Sequence, residues 1–298
     1  MARLARRIRF LRAFLLVFMA GLVGVIVGLV VLGSTQEDEV APPTSFAIWP
    51  VGDSITFGSS SDGGSIAGGY RGTLEASLVA AGLNPRFVGT SAANPPTLRA
   101  TAGSFGHDGW PGQRIDHFET ALLADSPLSG GHWLNGLAAS PGIEARPPLR
   151  PDVVVVHLGT NDIVESRDPE SRYPGGYTAT DDKERSRFVR HLKSRLVDFL
   201  GAILRVRPEA AFVLCTIAPL GPQAPTSTDF NALIRDDVVP KLRRVGTVVE
   251  LADVEEALGS LPGSVGDDGV HPTEAGYRVM GETIAAAVGR LALAVSPD

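Results

Sequence analysis

The stretch "DVVVVHLG", residues 152–159, says most about the fold. Its four consecutive valines are β-branched, and a nearly continuous apolar run of this kind is typical of a strand buried on both faces of a sheet. Four more short apolar runs lie at 46–51, 86–90, 211–217 and 247–251. Helical patterns separate them, so strand and helix alternate along the chain. The sequence therefore predicts an α/β fold, with one five-stranded parallel sheet and helices on both of its faces.

Four helical patterns are present among and after the predicted strands. They lie at 70–82, 184–208, 228–245 and 273–294. In the second of them, apolar residues such as Phe188, Leu192 and Leu196 recur at the spacing of one helix face. Pro240 lacks an amide hydrogen and is predicted to kink or divide the third helix. In a parallel sheet of this kind, ligands gather at the carboxyl ends of the strands, so the residues that follow the strands are the candidates for function.

The first 45 residues differ in composition from the rest of the chain. Residues 1–12 contain five arginines, whereas residues 13–33 carry no charge. A helix over 13–33 would span roughly 30 Å, about one hydrocarbon core. This run is longer than the apolar part of a cleavable signal peptide and no Ala-x-Ala pattern follows it, so we expect an uncleaved transmembrane anchor, with cleavage and secretion as the alternative. Residues 34–45 are predicted to be a linker, and the positive-inside rule places the domain at 46–298 outside the cell membrane.

The charge of the chain after the arginine block limits its partners. Residues 13–298 contain 22 basic and 33 acidic residues, a formal charge of −11. Such a domain is repelled by nucleic acid and other strongly anionic polymers, so no nucleic-acid partner is expected. The single cysteine, Cys215, excludes an intramolecular disulfide framework and is predicted to be a small buried residue. The sequence leaves the oligomeric state open.

Two of the predicted strands end in short polar segments that contain possible catalytic groups. In "WPVGDSITFG", residues 49–58, Gly52 permits a tight turn and Ser54 follows the strand as a possible nucleophile. In "HLGTNDI", residues 157–163, the amide of Asn161 can donate a hydrogen bond to a developing oxyanion. Both segments are also compatible with ordinary turns, because Gly, Asp, Asn and Ser are common turn residues.

Two other segments contribute a possible base and possible backbone donors. Asp268 and His271 are three residues apart, just before a predicted helix, so the carboxylate can hold one ring nitrogen while the other accepts a proton. The alternative is a surface loop with a capping Asp and a solvated His. The segment "GHDGWPGQRID", residues 106–116, contains Gly109 and Gly112, either of which can bring a backbone N–H close to an oxyanion or simply form a turn.

Taken together, these segments resemble the SGNH hydrolases, also called GDSL esterases and lipases. The resemblance covers most of residues 46–288, and the order and wide spacing of the segments match the family. The residues that carry it are Gly52-Asp53-Ser54, Gly112, Gly159-Thr160-Asn161-Asp162 and Asp268-Gly269-Val270-His271. The family fold is a three-layer α/β/α sandwich around a five-stranded parallel sheet, and the family needs no cofactor and no metal.

The resemblance assigns a role to each matching residue. It implies that Ser54 is the nucleophile, that His271 is the general base and that Asp268 orients His271. It further implies an oxyanion hole formed by the backbone N–H groups of Ser54 and Gly112 and by the side chain of Asn161, with the choice of Gly112 over Gly109 left open. The expected activity is hydrolysis of an ester through an acyl-enzyme. Asp53 is expected to brace the loop and is also a possible substrate contact.

Three other functions compete with this reading. A metal-dependent phosphoesterase would use the aspartates and histidines, but no ligand spacing such as H-x-x-x-H or D-x-D is present. His157 would be one of the metal ligands, but it lies inside a strand pattern and is better explained as a core histidine. A non-catalytic carbohydrate-binding protein on the same fold is the second competitor. A lipid or aryl-ester esterase of the same family is the third.

The segments look most like the carbohydrate-esterase branch of the family, which includes acetylxylan esterases. The predicted substrate is therefore a short-chain acyl ester, with acetate the first choice, on a small molecule or a polysaccharide. Trp110 and Trp133 lie in predicted loops and are possible stacking surfaces for sugars, or else loop packing.

Overall fold

The structure is a computed structural model. It describes residues 45–97, 105–123, 149–165 and 181–295. The predicted basic segment, transmembrane anchor and all but the last residue of the linker lie outside these residues, and so does Trp133. Within the described residues, no helix combines the length and the hydropathy needed to cross a bilayer.

The sheet is parallel, as predicted, and lies in the middle of the domain. Its strands are β1 (Ser45–Gly52), β2 (Asn84–Phe87), β3 (Asp108–Gly109), β4 (Val153–His157), β5 (Ala211–Cys215) and β6 (Val249–Ala252). Five of them form the order β2-β1-β4-β5-β6, and β3 pairs with the end of β1. The prediction of five strands is corrected to six. The sixth strand was missed because two residues, one of them glycine, are too few to produce an apolar run.

Helices pack on both faces of this sheet. They are α1 (Ser54–Phe57), α2 (Tyr70–Ala80), α3 (Ile115–Leu123), α4 (Thr160–Val164), α5 (Asp182–Val206), α6 (Ala224–Leu233), α7 (Val239–Arg244), α8 (Val254–Gly259) and α9 (Glu274–Val295). The change of structure predicted at Pro240 is present, because a π-helical turn at Ile234–Val238 separates α6 from α7. Proline has no amide hydrogen for the regular α-helical bond, and the chain changes register immediately before it.

The four valines of β4 show why the domain has three layers. Val154 and Val156 pack into one apolar cluster with α3 and α5, whereas Val153 and Val155 pack into a second cluster with α2 and α9. Successive side chains of a strand point to opposite faces, so an uninterrupted apolar strand needs a core on each side. The parallel pairing of β1 with β4 also places the carboxyl ends of these two strands side by side, since Gly52 pairs with His157.

Candidate active site

Ser54 lies at the start of a single helical turn directly after β1. Gly52 is required at the strand end because a Cβ there would lie 2.5 Å from the carbonyl oxygen of His157. Asp53 caps the turn, since its carboxylate accepts a hydrogen bond of 2.9 Å from the N–H of Ile55. The cap and the close approach of β1 to β4 place Ser54 at the strand end, where the residue is 7% exposed. We refer to Ser54–Phe57 below as the serine turn.

A chain of two hydrogen bonds connects Ser54 to a histidine and an aspartate. The hydroxyl oxygen of Ser54 lies 2.8 Å from Nε2 of His271, and Nδ1 of His271 lies 2.6 Å from Oδ2 of Asp268. An ionised carboxylate can only accept, so Nδ1 donates to Asp268 and Nε2 is left to accept the hydrogen of the serine hydroxyl. The structure thus brings together three residues that the sequence placed in two segments more than 200 positions apart. The arrangement can remove a proton from a hydroxyl and hold it on the imidazole.

Local hydrogen bonds keep Asp268 in its charged form. Its other oxygen, Oδ1, accepts from the N–H groups of Val270 and His271 at 2.9 and 3.0 Å. Partial burial by itself would raise the pKa of Asp268, but these bonds and the side chain of His271 outweigh it and hold the pKa below its usual value. Asp268 is therefore ionised at neutral pH and able to stabilise an imidazolium.

The loop that carries His271 is fixed at both ends. The N–H of Gly266 donates to the carbonyl of His271 at 2.8 Å, which closes the loop onto itself. Thr273 caps the N-terminus of α9, as the sequence indicated: its hydroxyl accepts from the N–H of Gly276 at 3.3 Å and donates to the carbonyl of Gly263 at 2.9 Å. The start of α9 therefore sets the direction from which His271 approaches Ser54.

Asn161 lies in α4, immediately after β4, and its side chain is bound to the glycine loop. Its Nδ2 donates to the carbonyl of Gln113 at 2.9 Å. The next residue, Asp162, accepts from the N–H of Ile115 at 3.1 Å through its own carboxylate. Two adjacent residues of α4 thus hold the segment that directly follows Gly112, one at Gln113 and one at Ile115. An amide nitrogen carries two hydrogens, and the second one on Nδ2 of Asn161 has no acceptor among the residues that the structure describes.

The two candidate glycines, Gly109 and Gly112, have different environments in the structure. The N–H of Gly109 donates to Nδ1 of His107 at 3.0 Å, and a Cβ on Gly109 would lie 2.5 Å from the amide nitrogen of Phe57. Gly109 is therefore a packing glycine under the serine turn. Gly112 adopts a φ of +75° in open space, and its N–H donates to no acceptor among the described residues. Of the two, only Gly112 has a backbone N–H free for a ligand.

Asp53 does not contact solvent, which corrects its assignment as a possible substrate contact. The side chain is 0% exposed and braces the serine turn from inside. Burial raises the pKa of Asp53 to about 6, although the N–H of Ile55 and the side chain of Thr160 act in the opposite direction. A substrate bound at the surface has no access to this carboxylate.

Trp110 is partly buried and packs against the core cluster that contains α3 and α5. Its indole N–H donates to Oδ1 of Asp108 at 3.1 Å. Asp108 is fully buried and also accepts from the indole of Trp49 at 2.7 Å and from the backbone and hydroxyl of Thr90. Sequence reasoning missed this carboxylate because the segment around it looks like a glycine turn, and only the folded structure brings Trp49 and Thr90 to it.

The described residues offer little for a metal. Among them, no group of three or more His, Cys, Asp or Glu side chains is arranged to hold an ion. His157 is fully buried at the end of β4, and burial lowers its pKa to about 4, so it is neutral at pH 7. Its position in the core agrees with the structural role that its strand pattern predicts.

Comparison with a family model covers most of the domain. Residues 51–279 match the model of the GDSL-like lipase/acylhydrolase family. Both the serine segment and the Asp268–His271 segment lie inside this match. A comparison with curated proteins gave no match.

Solved structures with the same fold include carbohydrate esterases. A family 3 carbohydrate esterase from Clostridium thermocellum gives a TM-score of 0.57 at 21% identity, over 85% of this chain and 100% of that one. A family 3 carbohydrate esterase from Talaromyces cellulolyticus and an acetyl esterase mutant with acetate ion each give a TM-score of 0.58 at 20% identity, over 84% of this chain and 100% of theirs. At these identities the likeness shows a common fold.

Proposed function

Because the chain belongs to the GDSL-like lipase/acylhydrolase family and is a carboxylic ester hydrolase, we propose that Ser54, His271 and Asp268 are its catalytic residues and that it removes short acyl groups, above all acetate, from carbohydrate. The observation that carries the proposal is the continuous hydrogen-bond chain from the hydroxyl of Ser54 through His271 to Asp268. A hydroxyl is a weak nucleophile, and this chain supplies the base and the group that orients it.

The first half of the reaction forms an acyl-enzyme. The oxygen of Ser54 attacks the ester carbonyl while Nε2 of His271 takes the hydroxyl proton, and Asp268 stabilises the resulting imidazolium. The tetrahedral intermediate then breaks its bond to the alcohol oxygen. The alcohol leaves with the proton that His271 returns to it.

The second half of the reaction regenerates the serine. Water gives a proton to His271 and attacks the acyl group on Ser54. The bond from the acyl carbon to the serine oxygen breaks, Ser54 recovers its proton from His271, and the free acid is released.

The oxyanion of both intermediates requires donors that are in place beforehand. We assign this role to the backbone N–H groups of Ser54 and Gly112 and to the second Nδ2 hydrogen of Asn161. The bond from Asn161 to the carbonyl of Gln113 orients the amide and links it to the loop of Gly112. Donors fixed by such contacts need no reorganisation when charge develops, which is the main source of their effect on rate.

Two observations support a small acyl group on carbohydrate. The structures with the same fold include proteins described as family 3 carbohydrate esterases and an acetyl esterase. The segments at the strand ends contain Trp110 but few contiguous aliphatic residues that would line a long acyl channel. An esterase for longer lipid or aryl esters is the alternative within the same family.

Substitution of Ser54 tests the site, and acyl length tests the substrate. Ser54→Ala should abolish turnover of an acetyl ester, whereas Ser227→Ala, which removes a buried hydroxyl from α6, should leave it unchanged. Wild-type turnover in Ser54→Ala would refute the assignment.

Each methylene that fits an apolar pocket contributes about 0.8 kcal/mol, so a lipase-like site would prefer octanoyl to acetyl esters of one alcohol. A tenfold preference for octanoyl in kcat/KM would replace the carbohydrate reading with a lipid esterase.

We also propose that residues 13–33 anchor the enzyme in the cell membrane, with the domain outside. The uncharged run behind five arginines supports this location. Full-length protein should sediment with membranes and stay there in carbonate. Recovery of a soluble mature chain that starts near residue 34 would instead favour cleavage and secretion.

A further inference from the structure

The serine turn is too short to hold its own geometry. It has four residues, and its backbone bonds are those from the N–H of Phe57 to the carbonyl of Asp53 and from the N–H groups of Gly58 and Ser59 to the carbonyl of Ser54. A single turn fixes many dihedral angles in return for few hydrogen bonds and is unstable by itself. Asp53 caps its N-terminal side. The orientation of Ser54 therefore depends on what holds the C-terminal side.

Two side chains from outside the turn bind its last carbonyl groups. Arg71, in α2, donates from Nε to the carbonyl of Thr56 at 3.1 Å and from Nη2 to the carbonyl of Phe57 at 3.2 Å. Asn94 donates from Nδ2 to the same carbonyl of Phe57 at 2.8 Å. We call Arg71 and Asn94 the carbonyl clamp.

The clamp also holds itself together. Nη2 of Arg71 donates to the backbone carbonyl of Asn94 at 2.8 Å, and Nδ2 of Asn94 donates to the carbonyl of Ile66 at 2.9 Å. Asn94 adopts a φ of +45°, a left-handed conformation that only a few residue types tolerate. The backbone is therefore held in a costly conformation at the residue that contacts the serine turn. Strain of this kind persists where surrounding contacts over-determine it.

Arg71 is an unusual residue for a core position. It is fully buried, and burial lowers its pKa to about 10, so it is still a cation at neutral pH. Its hydrogen bonds within the described residues go to the backbone carbonyls of Thr56, Phe57 and Asn94. A buried charge is costly, and an apolar residue would fill the same volume in the core at less cost. The planar fork of guanidinium donors is what the two carbonyls of the serine turn require, because one side chain then reaches both.

From this geometry we propose that Arg71 and Asn94 are positioning residues that set the orientation of the serine turn, and through it the distance from the Ser54 hydroxyl to His271. The inference rests on the proposed function, in which Ser54 is the nucleophile. His271 approaches on a separate loop, so the 2.8 Å contact exists only when both elements are held independently. Tyr277, in the helix that follows His271, adds one link by donating to the carbonyl of Ser59 at 2.7 Å. A displacement of about 1 Å at a reacting group can lower a rate about 100-fold.

Three variants test the clamp. Arg71→Met removes both carbonyl contacts and the charge, and Arg71→Lys keeps the charge but offers a single point donor. Asn94→Gly removes the side-chain donor while it relieves the positive φ, so this variant is expected to fold even if Arg71→Met does not. Leu78→Ala is the matched control, because Leu78 is a buried residue of the same helix that packs in the core.

The measurements are kcat and KM for an acetyl ester and the rate at which a serine-reactive phosphonate labels Ser54, made on full-length protein below its unfolding temperature. We expect Arg71→Met and Asn94→Gly to lower kcat and the labelling rate together by about 10- to 100-fold with KM unchanged, and Arg71→Lys to recover part of the loss. Leu78→Ala should lower the melting temperature without changing kcat.

The outcomes separate the two proposals. If wild-type protein is not labelled at Ser54, the proposed function fails. If the wild type is labelled and Asn94→Gly reacts at the same rate and with the same kcat, the clamp is overturned while the function stands. A loss of kcat in Leu78→Ala equal to that in the Arg71 variants would also overturn it, since general destabilisation would then explain the effect.

Discussion

Replacement of Asp53 by Asn should stabilise the protein at neutral pH, and the gain should vanish in acid. Asp53 is fully buried, and burial raises its pKa from 3.8 to about 6. Between these two values the unfolded chain is ionised while the folded protein holds the proton, so stability falls as the pH rises through this window. Above it, about 2 pH units at 1.36 kcal/mol each correspond to a constant cost of about 3 kcal/mol. Asparagine never ionises, and its oxygen can still cap the N–H of Ile55.

The assay is urea unfolding of both proteins from pH 4 to pH 8, with the difference in unfolding free energy plotted against pH. We expect Asp53→Asn to gain about 1–3 kcal/mol at pH 8, with 3 kcal/mol the upper bound because the amide is also desolvated, and close to zero at pH 4. Asp62→Asn is the matched control. Asp62 is exposed, and a hydrogen bond from Ser60 is the main cause that lowers its pKa, so its difference curve should slope the opposite way. A flat curve for Asp53→Asn would show that this carboxylate carries no burial cost.

Three more outcomes follow from the site. Asn161→Ala should lower kcat by about 10²–10³ with little change in KM, the effect of one oxyanion donor, and an unchanged kcat in steady-state assays would remove Asn161 from the hole. His271→Ala should reduce kcat nearly as much as loss of the nucleophile, whereas Asp268→Ala should cost less, because the imidazole keeps its hydrogen bond to Ser54 and loses only the carboxylate that orients it; equal losses in the two variants would contradict this order. Gly109→Ala should lower the melting temperature, since its Cβ would lie 2.5 Å from the amide of Phe57; an unchanged melting temperature would show that the contact relaxes freely.

Much of the fold was predictable because its signals are local. The β-branched run of β4 indicates a doubly buried strand by composition alone, and the helix over Asp182–Val206 shows its apolar face by spacing. The pairing of Asp268 with His271 is also local, since the two residues are only three positions apart in a short loop. The family resemblance, carried by short segments in a fixed order, is confirmed by the family match over residues 51–279.

Other predictions failed or stayed open because the deciding contacts are not local. The strand β3 is too short for a pattern and exists only because β1 offers it a partner. Gly109 and Gly112 look alike in sequence, and the ring of His107 distinguishes them by accepting one N–H. The residues next to Asp53 in sequence are compatible with a surface carboxylate, yet packing buries Asp53 completely.

The sequence by itself determined where each reactive group stands relative to its own strand or helix, because backbone propensity and side-chain periodicity act over a few residues. Only the tertiary structure decided which of these groups meet. Ser54 and His271 are brought to hydrogen-bonding distance by the separate positions of β1 and α9. Arg71 shows the difference most clearly. A charged side chain of this type is usually exposed, but α2 packs against the serine turn, and the carbonyls there bind a guanidinium that would otherwise remain in water.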